Sequence, residues 1–127
     1  MRTPTRAVSS RVVRAVLVPY VLSRIIVVAT LETIRHIVTT NHFAVPLETH
    51  TGLLAWDAAW YRDIARAGYG GVASEGLRFF PLFPLLGRAV SWLPGASAGF
   101  GVLFVANVSA LALGFALYQL VMHERDD

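Results

Sequence analysis

The hydrophobic positions of the chain form two long runs, which flank a mixed segment at residues 36–97. The second run, residues 98–122, has no charged residue in 25 positions, and a membrane-spanning helix needs about 20 apolar residues. Pro94 and Gly95 precede this run, and the charged tail at 123–127 follows it. The pattern therefore predicts a transmembrane helix over 98–122.

The first run predicts another transmembrane helix, over residues 15–35. The run is apolar up to Glu32 except at Arg24, and an arginine near mid-membrane costs about 2.5–3.5 kcal/mol. Arg24 is therefore expected to face a neighbouring helix or a cavity, or to reach water. Glu32 and Arg35 are spaced to pair with each other. Because the basic tail at 1–14 precedes the run, a cleaved signal peptide is the alternative, although Arg24 interrupts that pattern.

The segment between the two runs has helix and turn signals of its own. Residues 57–67 predict a short helix that ends at the glycines following it. Pro81 and Pro84 exclude a continuous helix through the aromatic segment 79–86, although Pro84 could lie in the first turn of a helix over 85–93. Tryptophan and tyrosine, which recur along the segment, favour the bilayer interface. The segment is therefore expected to lie on the membrane surface, with 57–67 as an amphipathic interfacial helix.

A helical projection of residues 57–67 separates their two acids. At about 100° per residue, Asp57 falls in the middle of an apolar stripe with Trp60 and Ile64, whereas Asp63 falls on the opposite face. Asp63 lies beside Arg62 and can pair with Arg66, so it is expected to be a solvated surface acid. Asp57 points towards lipid or a protein cavity. It either caps the helix, a position that aspartate favours, or carries chemistry.

Composition agrees with membrane surroundings. The chain is 55% hydrophobic and 15% charged, against about 25% charged residues in ordinary soluble domains. It has no cysteine, which excludes disulfides and thiolate chemistry. The four histidines lack zinc-ligand spacing, so no metal site is predicted, and dependence on a divalent metal stays open. The net charge of +3 comes from scattered arginines, so no nucleic-acid partner is expected.

The distribution of arginine predicts the orientation of the chain. All 11 basic residues are arginine; four lie in the tail at 1–14, and the four in segment 36–97 are balanced by four acids. The positive-inside rule then places the N-terminus and the tail at 123–127 in the cytoplasm and the segment on the outer face. The absence of lysine favours a high-GC bacterial gene. We therefore expect an integral protein of a bacterial cell membrane.

Two stretches, WDAAWYRDIARAGY (residues 56–69) and FFPLFPLL (residues 79–86), resemble the signature of the PIG-V-like mannosyltransferases. This is the GPI mannosyltransferase 2 family with its bacterial relatives, within the GT-C class of polytopic glycosyltransferases. The matching pairs are Trp56-Asp57, Trp60-Tyr61, Ile64-Ala65 and Gly68-Tyr69, followed by Phe79-Phe80-Pro81-Leu82 and Pro84-Leu85. The hydrophobic pattern predicts an all-α membrane protein in which two transmembrane helices are joined by an outer-face loop, and the resemblance implies that this is the N-terminal fragment of a GT-C fold.

The resemblance also implies a reaction, the transfer of mannose from a polyprenyl-phosphate-linked sugar to a lipid or glycan hydroxyl on the outer face. In such enzymes an aspartate of the first outer loop is the proposed general base, and Asp57 takes that place. A hydroxyl that attacks an anomeric carbon needs a nearby carboxylate to accept its proton. The substrate-binding candidates are Arg78, Tyr61, Tyr69, Phe79 and Phe80, with Asp63 as a possible secondary acid.

Each binding candidate has a simpler alternative. Arg78 would stabilise the leaving lipid phosphate, but it also fits an interfacial arginine that snorkels to water. The phenylalanines would line a path for the lipid tail, but such residues also serve packing alone.

Members of the family cross the membrane many times, whereas two crossings are predicted here. The resemblance thus implies the N-terminal portion of such an enzyme, inactive alone and without a cofactor. Its expected partners are the bilayer, the lipid-linked sugar donor, and other membrane helices or a missing C-terminal part. The alternative is a small two-span, non-enzymatic membrane subunit that packs on partner helices. That alternative explains Arg24 and Asn107 equally well, but it does not explain Asp57 within an apolar stripe.

Overall fold

Four α-helices make up most of the described part of the chain. The computed structural model describes residues 5–41 and 52–126, with side chains over 10–41 and 52–125. Over these ranges the elements are helical and none is a strand: α1 (Thr5–Asn41), α2 (Asp57–Ala67), α3 (Leu82–Ser91) and α4 (Ala98–Asp126), with 3₁₀ turns at Tyr69–Gly71 and Ser74–Arg78. The predicted all-α fold is therefore confirmed, and the predicted short helix has the bounds of α2.

Two of these helices are long and apolar enough to cross a membrane, by length and composition. They are Ser10–Asn41, of 32 residues, and Ala98–Arg125, of 28 residues. Both helices extend beyond the predicted spans. α1 already begins at Thr5, within the stretch expected to be a tail, where Ala7 and the arginines are good helix formers. α4 continues through most of the charged C-terminal residues, where Glu124 and Arg125 are also good helix formers.

The helices divide into two compact units. One comprises Met1–Ile37 and Ser109–Asp127, and the other comprises Val38–Val108. In the first unit α1 lies close to the C-terminal half of α4. A Cβ added at Gly114 would lie 3.0 Å from Cγ1 of Val16, the buried residue of α1. A small residue at position 114 thus allows the two helices to approach closely.

The second unit holds α2 and α3 against the first turns of α4. Its buried side chains include Ile64 and Ala65 of α2 and Val102 and Val105 of α4, and Pro84 of α3 is buried with them. Proline is tolerated there because it lies in the first turn of α3, where its missing N–H needs no partner within the helix. This small core fixes the position of α2, which carries both candidate acids.

Candidate functional site

The backbone turn that leads into α2 is strained at Trp56, directly before Asp57, the candidate general base. Trp56 has φ 59° and ψ −129°, a left-handed conformation that glycine normally occupies in type II′ turns. The amide of Ala58 closes this turn by donating to the carbonyl oxygen of Ala55 at 3.2 Å. A non-glycine residue in such a conformation costs about 1–3 kcal/mol, and such residues cluster at functional sites. The indole of Trp56 is nevertheless 73% exposed, so packing within the described protein does not offset that cost.

Asp57 follows as the first residue of α2, with an exposed side chain. The N-cap is Trp56, which makes no side-chain capping bond. Among the described residues, no hydrogen-bond donor or cation pairs with the Asp57 carboxylate. The capping role considered from the sequence is therefore not the one that Asp57 has here. A carboxylate in the first helical turn is stabilised by the helix dipole and remains able to accept a proton from outside.

Asp63 has a different environment from the one that the projection predicted. It pairs with Arg62 at 2.9 Å, from Nε to Oδ1, rather than with Arg66, and both partners are about two-thirds buried. The Arg62 side chain runs beside α4, since a Cβ at Gly99 would lie 3.9 Å from its Cγ and Cδ. Packing against α4 thus holds Arg62 where it can reach its neighbour. Asp63 is therefore held in an ion pair within the packed unit and is less accessible than Asp57 to an outside molecule.

The aromatic residues of the two signature stretches form one cluster. The ring of Tyr61 meets Phe79 edge-on at 5.0 Å and Phe83 at 4.8 Å, and Trp60 stacks on Phe79 at 6.1 Å. The hydroxyl of Tyr69 donates to the carbonyl oxygen of Phe79 at 2.7 Å. Edge-on and offset pairs of this kind add about 0.5–1.5 kcal/mol each beyond their buried area. The cluster therefore holds the stretch after α2 against the start of α3.

Two of the predicted binding residues point outwards from this cluster. Phe80 is 74% exposed, and Arg78 is exposed with its guanidinium carbon 5.6 Å from the centroid of the Phe79 ring. That cation–π contact orients Arg78 without neutralising its charge. The other three predicted binding residues, Tyr61, Tyr69 and Phe79, are engaged in contacts within the chain.

Glycines shape the turn between the two signature stretches. Gly68 has φ 75° and ψ 177°, a region that is essentially restricted to glycine, and its amide donates to the Ile64 carbonyl oxygen at 2.8 Å. Gly76 is buried under Trp60, whose Cε3 would lie 3.1 Å from an added Cβ. Composition alone indicated a turn here. The close approach at Gly76 had no signal in the sequence, because it depends on a partner sixteen positions away.

No group of three or more His, Asp or Glu side chains that could hold a metal ion occurs in the described ranges, and His42 and His50 lie outside those ranges. Comparison of the chain with protein-family models, curated proteins and solved structures gives no match. The chemistry of the site must therefore be argued from its own residues. It offers a carboxylate at a helix N-terminus that has no partner among the described residues, an exposed tryptophan beside it, and an exposed arginine that contacts the ring of Phe79.

Proposed function

We propose that the chain is the N-terminal part of a membrane glycosyltransferase, which transfers a sugar, mannose first among the candidates, from a polyprenyl-phosphate carrier to a hydroxyl acceptor. The reaction takes place on the outer face of a bacterial cell membrane. Asp57 accepts the proton of the acceptor hydroxyl as that oxygen attacks the anomeric carbon. The bond from this carbon to the phosphate oxygen breaks, and Arg78 stabilises the phosphate that leaves.

The observation that carries the proposal is the pair Trp56-Asp57. A carboxylate without a partner in the described protein follows directly after a tryptophan in a glycine-like conformation. The conformation of Trp56 does not stabilise the fold, and a Trp56 strained by about 1–3 kcal/mol is expected where function maintains it. An interfacial tryptophan and an acid at the same turn fit a site that meets a sugar on a lipid carrier.

The architecture also supports the proposal. The aromatic cluster joins the two stretches that resemble the family signature, so the acid and the arginine belong to one compact unit. Tyr61, Tyr69 and Phe79 then act by positioning, and Arg78 and Phe80 remain available for substrate. The engagement of Asp63 with Arg62 leaves Asp57 as the acid that is open to an acceptor.

The second candidate is a non-enzymatic membrane subunit. It is favoured by the large apolar surface that the described helices leave uncovered, since only 6% and 17% of an apolar 18-residue stretch of α1 and of α4, respectively, are buried. Such surfaces suit packing on partner helices. This alternative predicts that no acid of α2 matters for sugar transfer.

The test compares two carboxylate substitutions in the membranes of cells that make the protein natively. Membranes with the wild-type gene, Asp57→Asn or Asp63→Asn receive radiolabelled polyprenyl-phosphate mannose, and label in endogenous acceptors is measured. Loss of a general base typically costs about 10²–10⁴-fold, so Asp57→Asn should abolish the transfer that depends on this gene. Asp63→Asn, inserted at the same level, should retain most of it. Equal transfer in all three membranes would favour the subunit.

A further inference from the structure

Arg24 lies in the interior of a helix long enough to cross a membrane. It follows Arg14 by ten positions and precedes Glu32 by eight, which places these charges roughly 15 Å and 12 Å away along the helix axis. Its guanidinium carbon is 5.1 Å from the centroid of the Tyr20 ring, and no described carboxylate pairs with it. A cation–π contact orients the guanidinium but leaves its positive charge uncompensated.

A groove runs beside Arg24 between α1 and the C-terminal half of α4. Its volume is about 320 Å³, and its lining includes Tyr20, Ser23 and Arg24 of α1 and Gly114 and Tyr118 of α4. No acidic residue lines the groove. The groove is therefore mostly apolar, with one cation and a few hydroxyl groups on its wall.

We propose that this groove receives a transmembrane helix from outside the described chain, and that this helix carries an aspartate or glutamate at the depth of Arg24. A carboxylate would form charge-assisted hydrogen bonds with the guanidinium and remove the cost of an isolated arginine in lipid. Its apolar side chains would cover the rest of the groove.

Charge complementarity separates this occupant from a second copy of the chain. Seven of the eight acidic residues lie outside the runs 15–35 and 98–122, at positions 48, 57, 63, 75, 124, 126 and 127. The eighth, Glu32, lies near the end of the first run, eight positions from Arg24, and already accepts from Arg35 at 2.9 Å. A second copy therefore has no mid-span carboxylate to offer.

A phospholipid suits the groove less well than a helix. Lipid phosphates lie at the surface of a hydrocarbon core about 30 Å thick, far from the middle of a span.

The absence of cysteine from the chain allows a direct cross-linking test. The full chain with Ser23→Cys is co-expressed with single-span Leu/Ala helices that have one cysteine and a central Glu, Gln or Leu. The expected disulfide yield with the Glu helix exceeds that with the Leu helix by roughly five-fold or more, in the range of interhelical polar contacts. Ile25→Cys is the matched control, because it lies at almost the same depth on the opposite face of α1, where its side chain is exposed.

Two variants of Arg24 show whether its positive charge causes the preference for the Glu helix. Arg24→Leu should remove the preference for Glu, and Arg24→Lys should retain part of it. A separate pair, Val16→Cys with Gly114→Cys, should cross-link within the chain in every Arg24 variant if the α1–α4 packing is intact. Loss of that internal cross-link only in Arg24→Leu would assign Arg24 to packing and overturn the proposal.

Three other results would also overturn it. Equal disulfide yields with the Glu and Leu helices would show that a carboxylate on the partner helix is not required. A dominant disulfide between two copies of Ser23→Cys would make the occupant a second chain. Labelling of the groove by a photoactivatable phospholipid that requires Arg24, without helix cross-linking, would make the occupant a lipid. Because none of these measurements involves sugar transfer, they stand independently of the proposed activity.

Discussion

Gly101→Ala should loosen the junction between α3 and α4 that positions the candidate site. An added Cβ would overlap the carbonyl oxygen of Gly87, and it would lie 3.0 Å from the Gly87 carbonyl carbon and 3.3 Å from the Ser91 amide nitrogen. All three are backbone atoms, so no rotamer change removes the overlap and α3 itself must move. A Cβ added at Gly87 would likewise crowd the backbone of Val102, at 3.1 Å from its amide nitrogen.

The expected magnitude follows from two opposing terms. Overpacking of a close-packed contact costs about 1–3 kcal/mol, and more where the backbone must shift. Replacing glycine by alanine within a helix returns about 0.8–1 kcal/mol. Because the overlap is with backbone atoms, the cost lies at the upper end of that range, and Gly101→Ala should lower the free energy of unfolding by about 2 kcal/mol.

Gly114→Ala is the matched control, because it makes the same change in the same helix. Its nearest neighbour is Cγ1 of Val16 at 3.0 Å, a side-chain methyl group that can shift. The control should stay within about 1 kcal/mol of wild type, since the gain in helix propensity offsets a small clash. Both variants are unfolded by SDS titration from mild detergent and followed by tryptophan fluorescence and far-UV circular dichroism. If Gly101→Ala is as stable as Gly114→Ala, the close approach of α3 and α4 is wrong.

Three further predictions concern the second unit and the orientation of the chain. Tyr69→Phe deletes the donor to the Phe79 carbonyl oxygen and should cost about 0.5–1.5 kcal/mol in the same titration; an unchanged midpoint would argue against that hydrogen bond. Trp56→Gly should stabilise the turn by up to about 2 kcal/mol, since glycine adopts this conformation without strain, yet it should reduce sugar transfer. A variant that is more stable and fully active would dissociate Trp56 from function. Reporter fusions at Glu75 should report the outer face, and a cytoplasmic signal would contradict both the orientation and the outer-face chemistry.

Local sequence signals were sufficient for the helical elements. The run at 98–122 predicts a helix because it is uncharged and long enough to cross a membrane. The segment 57–67 predicts one because its apolar residues recur on one helical face. The ends of α1 and α4 were predicted too short, because the change from apolar to charged residues marks the end of a span rather than the end of a helix. Helix propensity carries α1 and α4 beyond those limits.

The arrangement of the site depended on contacts that no local pattern encodes. The partner of Asp63 is decided by where α4 leaves room for Arg62, so the spacing to Arg66 gave the wrong pair. Nothing in a tryptophan side chain suggests a glycine-like turn at Trp56. The positions of both candidate acids on α2 were therefore predictable, but the difference between a paired and an unpaired carboxylate was not.

The central claim is that the carboxylate of Asp57 does chemistry that the carboxylate of Asp63 does not. The most direct measurement is the ratio of sugar transfer in native membranes containing Asp57→Asn to that in membranes containing Asp63→Asn, at equal protein level. The proposed role of Asp57 predicts a ratio of about 10⁻² or lower, as expected for loss of a general base. A ratio near one, with both variants as active as wild type or equally impaired, would contradict it.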